Sequence, residues 1–440
     1  MRSFCRGAAR RDDRPSFAGD KNRVRDEALG RFDQLRVREV RVEYGHIASA
    51  VLAQFQSIAA SLEPDERIEL VVYAYESCME LLKAVLADPQ AARICALKWW
   101  HDGKEDVNFV IPLLINNCPE LASLRVEFGN HSAFDFVSSV LEHPSNKVKV
   151  LEMLWYTKGD SARFFTALGQ SQVSALTLCY SPEFAQGLCG YLARDLLVRL
   201  KVRMGNEQVP SAMMVSLAAC TRLAKLEMSY CKFSHLIAFP KSITKLELEN
   251  CTFVGGFDWS FLADSNVREL YFFDARGVDG IELGSALAVH LRAKGLDELR
   301  LYYCVFADET LAAAGVEIGR IKRLDLGYSN LNDASVELIA LALKSPNSEL
   351  RELELWYNDN TASSIETHLV PALKHPDCNL IKLSLLAYQE HREATRRVES
   401  KFCDRLALFV LLQGRQVRRL YCPLRRLPME MFRLVGQMLD

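Results

Sequence analysis

The sequence predicts an α/β solenoid, with short parallel strands along one side of the chain and helices along the other. Three observations predict it: an apolar spacing that recurs through the 440 residues, an alternation of apolar and polar residues within each copy, and a helical period between copies. A recurring unit also overrides the rule of ~150 residues per domain, because stacked repeats form one continuous core.

The recurring spacing is L-x-x-L-x-L, and its clearest copies begin at Leu223, Ile243, Leu296, Ile321 and Leu350. Other copies begin at Ile94, Leu121, Val148, Val173, Leu197, Val267, Leu380 and Val417, with weaker ones at Val37 and Ile68. These fifteen starts are on average about 27 residues apart, and the fourth and sixth positions of every copy are apolar. A leucine-rich repeat has a period of ~20–29 residues.

A polar residue separates the last two apolar positions of the clear copies, as Glu227, Arg300 and Asp325 illustrate. This period of two is typical of a strand with one buried and one accessible face. We therefore expect Leu226, Leu248, Leu301 and Leu326 to lie on successive strands of one parallel sheet.

Between the strands the apolar period lengthens to about 3.6, which predicts amphipathic helices over 132–143, 182–196 and 333–345. Asp333 is predicted to cap the last of these helices, and Pro346 follows its end. The copies from Leu223 and Ile243 are joined to the next strand only by short, non-helical connections, so the solenoid should bend unevenly there.

One strand and one helix are too few to bury their own apolar faces, so neighbouring units must stack. Strands stack ~4.8 Å apart and helices ~8–10 Å apart, so the stack should curve. The expected shape is a horseshoe with the parallel sheet on the concave face and the helices on the convex face.

The segments SPNSELRELELWYND (345–359) and HPDCNLIKLSL (375–385) resemble repeats of ribonuclease-inhibitor-type leucine-rich-repeat proteins. That subfamily includes ribonuclease inhibitor and the sensor regions of nucleotide-binding leucine-rich-repeat receptors. The resemblance is strong over about 220–390, moderate over 94–220 and weak elsewhere. It implies a β/α horseshoe that recognises proteins, and it identifies no partner.

Four segments are predicted: a flexible basic leader (1–30), degenerate N-terminal repeats or a cap (31–93), the solenoid (94–427) and a C-terminal capping helix (428–440). The leader lacks the apolar core of a secretory signal, and no membrane-spanning apolar stretch is present. Thirteen cysteines without a CxxC pair fit a reduced, cytoplasmic setting. A net charge of −2 argues against nucleic acid as a partner, and the chain is expected to be monomeric by itself.

Aromatic residues recur at the lip of the sheet, two places after the last apolar position of each copy. Nine of the fifteen lip residues are aromatic, although the 9% aromatic content of the chain predicts between one and two: Tyr44, Tyr75, Phe128, Trp155, Tyr180, Tyr230, Tyr303, Tyr328 and Tyr357. Neighbouring positions on the same face add Trp100, Tyr271, Phe273, Tyr302, Trp356 and Tyr421. Aromatic side chains are common interface anchors, but they could also stack on one another and only seal the solenoid.

Charges on this face are segregated. Arg199, Lys201 and Arg203 make one strand basic, whereas later strands are acidic through Glu247, Glu249, Glu269, Asp274, Glu352 and Glu354. Such a division could orient a partner, or it could simply solvate the strands. Together these observations give the candidate partner-binding residues: Trp155, Tyr180, Arg199, Lys201, Arg203, Tyr230, Tyr271, Phe273, Tyr302, Tyr303, Tyr328, Glu354, Trp356 and Tyr357.

Structural roles are expected for Cys231, Cys251 and Cys304, which stand where such repeats carry Asn or Cys, and for the core residues Phe233, Phe253 and Phe306. No cofactor or metal is predicted: His368, His375, Cys378 and His391 straddle a helix, a loop and a strand and lack metal-ligand spacing. Phosphate-loop, nucleophile-elbow and zinc-helix motifs are absent from the sequence.

The function predicted from the sequence is non-catalytic binding of a protein partner, of unknown identity, on the concave face. Two alternatives remain. The first is a small-GTPase regulator resembling Ran GTPase-activating protein, although the acidic tail of that family is missing here. The second is ribonuclease inhibition, although such inhibitors are strongly acidic and this chain is not.

Overall fold

The computed structural model describes residues 37–42, 48–63, 65–74, 79–101, 110–128, 133–154, 161–234, 239–255, 257–358 and 364–385. The predicted leader, the repeat copy at Val417 and the predicted capping helix lie outside these ranges. Within them the chain has an α/β fold, in which the strands of one long parallel sheet alternate with helices.

Within the described residues the main sheet has fourteen strands, each hydrogen-bonded to the next strand of that sheet along the chain. They are β1 (Val37–Val42), β2 (Arg67–Ala74), β3 (Ile94–His101), β4 (Ser123–Phe128), β5 (Val150–Met153), β6 (Ala175–Cys179), β7 (Arg199–Arg203), β8 (Lys225–Ser229), β10 (Lys245–Glu249), β12 (Glu269–Phe273), β13 (Leu296–Tyr302), β14 (Ile321–Asp325), β15 (Glu352–Glu354) and β16 (Lys382–Ser384). A separate two-stranded sheet pairs β9 (Lys232–Phe233) with β11 (Thr252–Phe253). Among the described strands, β1 and β16 stand at opposite ends of the order.

Fourteen of the fifteen predicted repeat starts lie at, or within two residues of, the starts of these fourteen strands, in the same order. Leu226 pairs in register with Leu246, which pairs with Leu270, and all three are buried. Their side chains belong to one apolar cluster that also holds the inward residues of the helices. The predicted succession of strands in one parallel sheet is therefore confirmed within the described residues.

The repeat pattern predicted from Ile68 is one residue out of register with the neighbouring strands. Its fourth position is Val71, but the core position that pairs with Val40 and Leu97 is occupied by Leu70. The cause is an irregularity in the pairing, where Ile68 faces Ile94 but the next residue, Glu69, faces Ala96. An extra residue in one strand shifts the alternation, and a fixed sequence template cannot follow such a shift.

Twelve α-helices lie between the described strands. They are α1 (Ala48–Ala60), α2 (Met79–Ala87), α3 (Val110–Asn117), α4 (Ala133–Glu142), α5 (Ser161–Gln170), α6 (Ala185–Leu192), α7 (Ser211–Ala218), α8 (Phe261–Asp264), α9 (Gly280–Lys294), α10 (Ala307–Ala314), α11 (Asp333–Leu343) and α12 (Val370–Leu373). The last continues a π-helical turn over Ile365–Leu369. Among the described residues no helix combines the length and apolar character needed to cross a bilayer.

The three helices predicted from periodicity are α4, α6 and α11, with a 3₁₀ turn (Pro182–Phe184) in front of α6. The predicted cap of α11 is wrong by one residue. Asn332 is the cap, because its side-chain oxygen accepts a hydrogen bond from the Ser335 amide, whereas Asp333 is the first helical residue. Both residue types cap helices well, so composition alone could not choose between them.

The segments that connect β8 to β10 and β10 to β12 contain the short strands β9 and β11. The four-residue α8 is the only helix described in these two segments. Aromatic rings fill the space beside these strands. Phe257 is central to them, with ring centroids 4.4 Å from Trp259, 5.2 Å from Phe253 and 5.5 Å from Phe239. Phe233, Phe253 and Phe306 are buried, as predicted.

From β8 to β15 each strand of the main sheet is followed by a buried position, and in four repeats its side chain contacts a carbonyl oxygen in or next to the strand before it. Cys251 contacts the Met228 carbonyl oxygen, Cys304 that of Phe272, Ser329 that of Leu301 and Asn358 that of Leu326. This polar column also holds Cys231, whose thiol contacts the Ser229 carbonyl of its own strand, and Ala275. The predicted structural role of the cysteines is therefore confirmed.

Candidate functional site

Alternate strand residues project away from the helices onto what we call the open face of the sheet. On β7, for example, Arg199, Lys201 and Arg203 are half-buried while Leu200 and Val202 between them are in the core. No element among the described residues packs on this face. Two of its aromatic residues are well exposed: Trp100 at 41% and Phe273 at 39%.

The residue at the lip has an unusual backbone in the later repeats. Six successive lip residues have positive φ angles between 46° and 57°: Tyr230, Asn250, Asp274, Tyr303, Tyr328 and Tyr357. The amide of Tyr328 still donates to the Trp356 carbonyl at 2.7 Å, so this left-handed residue extends the ladder while the chain turns away. Asn and Asp adopt this conformation readily, whereas for a tyrosine it costs about 1 kcal/mol of conformational free energy.

Three of these lip residues form a column of stacked rings, the tyrosine column of Tyr303, Tyr328 and Tyr357. Successive centroids are 4.5 Å apart, with interplanar angles of 23° and 24°. Beside it, Phe273 and Tyr302 stack at 5.2 Å and 13°. The two stacks touch through Tyr302 and Tyr328, whose rings are 5.3 Å apart.

We call six residues the aromatic block: Phe273, Tyr302, Tyr303, Tyr328, Trp356 and Tyr357. Trp356 donates a hydrogen bond to Ser384. Tyr303 is 44% exposed, so the block is an accessible surface rather than core packing.

Gly327 explains how Tyr302 can lie across the neighbouring strand. A Cβ atom at position 327 would lie 2.7 Å from Cε2 of Tyr302, so any larger residue would displace the ring. Sequence reasoning did not single out Gly327. Its signal was a lone glycine in register with the aromatic residues Tyr302 and Trp356 of the adjacent repeats.

The other aromatic candidates that the structure describes lie apart from the block. Tyr180 is only 1% exposed, so its side chain offers no surface to a partner. Tyr271 is held within the sheet: Lys245 Nζ and the Arg300 guanidinium carbon lie 4.3 and 4.7 Å from its ring centroid. Tyr230 lies under the Arg203 guanidinium at 5.6 Å. Trp155 is outside the described residues.

The basic strand β7 is partly neutralised by its neighbour β8. Glu227 forms ion pairs with Lys201 at 2.7 Å and with Arg199 at 3.6 Å. Burial by itself would raise the pKa of Glu227, but the charges of Lys201 and Arg199 outweigh it and lower the pKa. Burial and the adjacent Glu227 raise the pKa of Glu247. The segregation of charge predicted from the sequence is therefore weaker on the folded surface than in the sequence.

A net division nevertheless remains. Strands β2–β7 carry five cations against three carboxylates on the open face: Lys98, Arg125, Arg199, Lys201 and Arg203 against Glu69, Glu127 and Glu152. Strands β10–β16 carry four cations against seven carboxylates: Lys245, Arg300, Arg323 and Lys382 against Glu247, Glu249, Glu269, Glu298, Asp325, Glu352 and Glu354. The half with the aromatic block thus has a formal charge of −3, and the other half +2.

Asp325 lies at the foot of the aromatic block. Its Oδ1 accepts a hydrogen bond from the Gly327 amide at 3.1 Å, and Glu354 is its register partner on β15. Glu354 pairs with Lys382 at 2.5 Å, whereas Asp325 forms no ion pair with any residue that the structure describes. Burial and the carboxylate of Glu354 raise the pKa of Asp325 to about 6.

This raised pKa predicts a pH dependence of folding. An unfolded Asp has a pKa of ~3.9, so between that value and about 6 the folded chain binds more protons. The stabilising contribution is therefore complete below pH ~4 and is lost as the pH rises through about 6. We expect Asp325→Asn, which keeps the Gly327 hydrogen bond, to raise the free energy of unfolding at pH 7.5 but not at pH 4, measured by urea denaturation. Asp297→Asn, at a carboxylate paired with Lys322 instead, should not show this gain at pH 7.5.

No protein-family model matches this sequence, and no curated protein is significantly similar to it.

Proposed function

We propose that this chain is a leucine-rich-repeat protein of the ribonuclease-inhibitor-like kind, curved with its open face concave, and that it binds a protein partner there without catalysis. The aromatic block is the contact surface. The observation that carries the proposal is the tyrosine column: three stacked rings on left-handed backbone, one of them 44% exposed.

The backbone conformation supports recognition over simple sealing of the sheet. At the same lip position the chain itself uses Asn250 and Asp274, which reach positive φ with less strain. Tyrosine is present at the lip of three consecutive later repeats despite the free-energy cost of this conformation. Strained residues that persist are concentrated at binding sites, and large, stiff aromatic rings are frequent hot spots of protein interfaces.

The experiment replaces Tyr303, Tyr328 and Tyr357 together by Asn. Asn is the chain's own residue at this lip position in the repeat of Asn250, so the variant removes the rings and keeps the turn. Full-length protein is immobilised, and proteins retained from an extract of the source cells are quantified by mass spectrometry. We expect at least one protein held by the wild type to fall tenfold or more, since losing aromatic anchors costs over ~2 kcal/mol each.

A matched control removes exposed apolar side chains from the helices instead, through Val289→Asn and Leu341→Asn; these residues are 49% and 46% exposed. The control should retain the same proteins as the wild type. If the triple variant retains every protein as well as the wild type does, the aromatic block is not the binding surface and the proposal is wrong.

A further inference from the structure

We infer that the partner segment on the aromatic block carries an arginine or lysine side chain, which packs against the tyrosine rings and pairs with the Asp325 carboxylate. This inference rests on the proposed function and names the chemistry of the partner. It follows from the charge of this half of the open face, from the position of Asp325 and from the type of ring beside it.

The charge of the surface selects against an acidic partner. The strands that carry the block have a formal charge of −3 on the open face, while the strands before them carry +2. A segment whose basic part lies over β13–β15 is attracted, whereas an acidic part in that place meets unfavourable like charge. The division of charge therefore fixes both the partner's chemistry and its direction along the sheet.

Asp325 is the carboxylate best placed to receive this cation. The neighbouring acids already have cationic partners: Glu298 pairs with Arg300 and Arg323 at 2.5 and 2.9 Å, and Glu354 pairs with Lys382. Among the described residues Asp325 accepts a hydrogen bond only from the Gly327 amide and forms no ion pair. Its charged neighbours across the strands are Arg300 on β13 and Glu354 on β15, and the charges of Glu298 and Lys382 also act on it. Burial next to Glu354 makes its ionisation costly, and an incoming cation would offset that cost.

The rings supply the second half of the site. The side of Tyr302 lies over Gly327, so the ring and Asp325 are adjacent: the Cβ position of residue 327 is 2.7 Å from Tyr302 Cε2 and 3.5 Å from Asp325 Oδ1. A guanidinium or ammonium group that pairs with Asp325 would also lie against the rings of the aromatic block. Cation–π contacts favour such a group most when it is partly desolvated. The chain already makes such contacts at Tyr271, with Lys245 and Arg300.

The test uses the full chain and a fluorescein-labelled nonapeptide of alternating serine and arginine, with anisotropy as the readout. Peptides with lysine, glutamine or glutamate in place of arginine are compared. We expect the cationic peptides to bind at least tenfold more tightly than the glutamine peptide. Asp325→Asn should weaken them fivefold or more, and Tyr328→Asn should also weaken them. Asp297→Asn, the same charge change outside the open face, should have no effect.

The pH profile adds a readout that a purely structural role of Asp325 would not give. Wild-type affinity for the arginine peptide should fall several-fold from pH 7.5 to pH 5, as Asp325 takes up its proton, and Asp325→Asn should abolish that fall. Should Asp325→Asn prove poorly folded by circular dichroism, affinities at pH 7.5 are compared with those of Glu354→Gln instead, which lowers the negative charge at the block and should weaken binding of the cationic peptides.

Equal binding of the arginine and glutamine peptides, or an Asp325→Asn protein that binds as the wild type does, would overturn the inference. These failures are separable from failure of the proposed function. A triple tyrosine variant that loses its captured partner, together with no preference for cationic peptides, rejects only the chemistry assigned to the partner. Unchanged capture by that variant rejects the aromatic block itself, whatever the peptides do.

Discussion

Asn358→Ala is expected to destabilise the C-terminal strands by about 4 kcal/mol, because three buried backbone groups would lose their partner. The Asn358 side-chain oxygen accepts from the amides of Ser329 and Leu331 at 2.9 and 3.2 Å, and its amide donates to the Leu326 carbonyl at 2.8 Å. Asn358 is only 5% exposed, so water cannot replace these bonds without opening the turn. Hydrogen exchange should show the loss as faster exchange of amides in β14 and β15.

The control is Asn379→Ala. Asn379 is exposed and makes a single such bond, to the Ser348 carbonyl at 2.8 Å, so a loss of at most ~1 kcal/mol is expected. Asn358→Cys should give an intermediate result, because Cys304 occupies the same place of the polar column in an earlier repeat. Equal effects of Asn358→Ala and Asn379→Ala would contradict the role assigned to the polar column.

Phe257→Ala is expected to cost about 4 kcal/mol, the range for truncating a fully buried aromatic residue. Phe257 is 3% exposed and sits among five other rings, in the segment where the sheet lacks long helices. Those rings replace a helix as the layer against β8 and β10, so a cavity there removes the principal apolar support of these strands. The loss of unfolding free energy can be measured by urea denaturation with tryptophan fluorescence as the signal, since Trp259 is adjacent to Phe257.

Two further variants make this result interpretable. Phe261→Ala removes a ring at the edge of the same cluster, which is only partly buried, and should cost about half as much. Phe257→Leu keeps most of the apolar volume and should recover most of the loss. If Phe257→Ala unfolds at the same urea concentration as the wild type, the rings are not the layer that supports these strands.

The sequence was sufficient to predict the strands of the sheet and their order, because the apolar spacing is a direct consequence of stacking. Leu226, Leu246 and Leu270 occupy equivalent positions and must all enter one core. The prediction failed where a local irregularity changed the register, as at Ile68, and where two adjacent polar residues compete for one helix cap, as at Asn332 and Asp333.

The site was predictable only in part. The excess of aromatic residues at the lip indicated a surface, but it did not separate Tyr303, which is exposed, from Tyr180, which is buried. The separation depends on backbone conformation: the lip is left-handed from Tyr230 to Tyr357 but not at Tyr180. Asn250 and Asp274 at equivalent positions were the signal for that conformation. The position of Asp325 beneath the rings depends on contacts between strands, which no single repeat contains.

The most direct test of the central claim is where a captured partner touches the chain. A photo-crosslinking aromatic amino acid is placed at position 303, within the aromatic block, or at position 341, on the exposed side of α11. On irradiation with the partner present, a covalent adduct is expected from position 303 and none from position 341. An adduct from position 341 alone would show that the partner binds the helices, and would contradict the assignment of the open face as the binding surface.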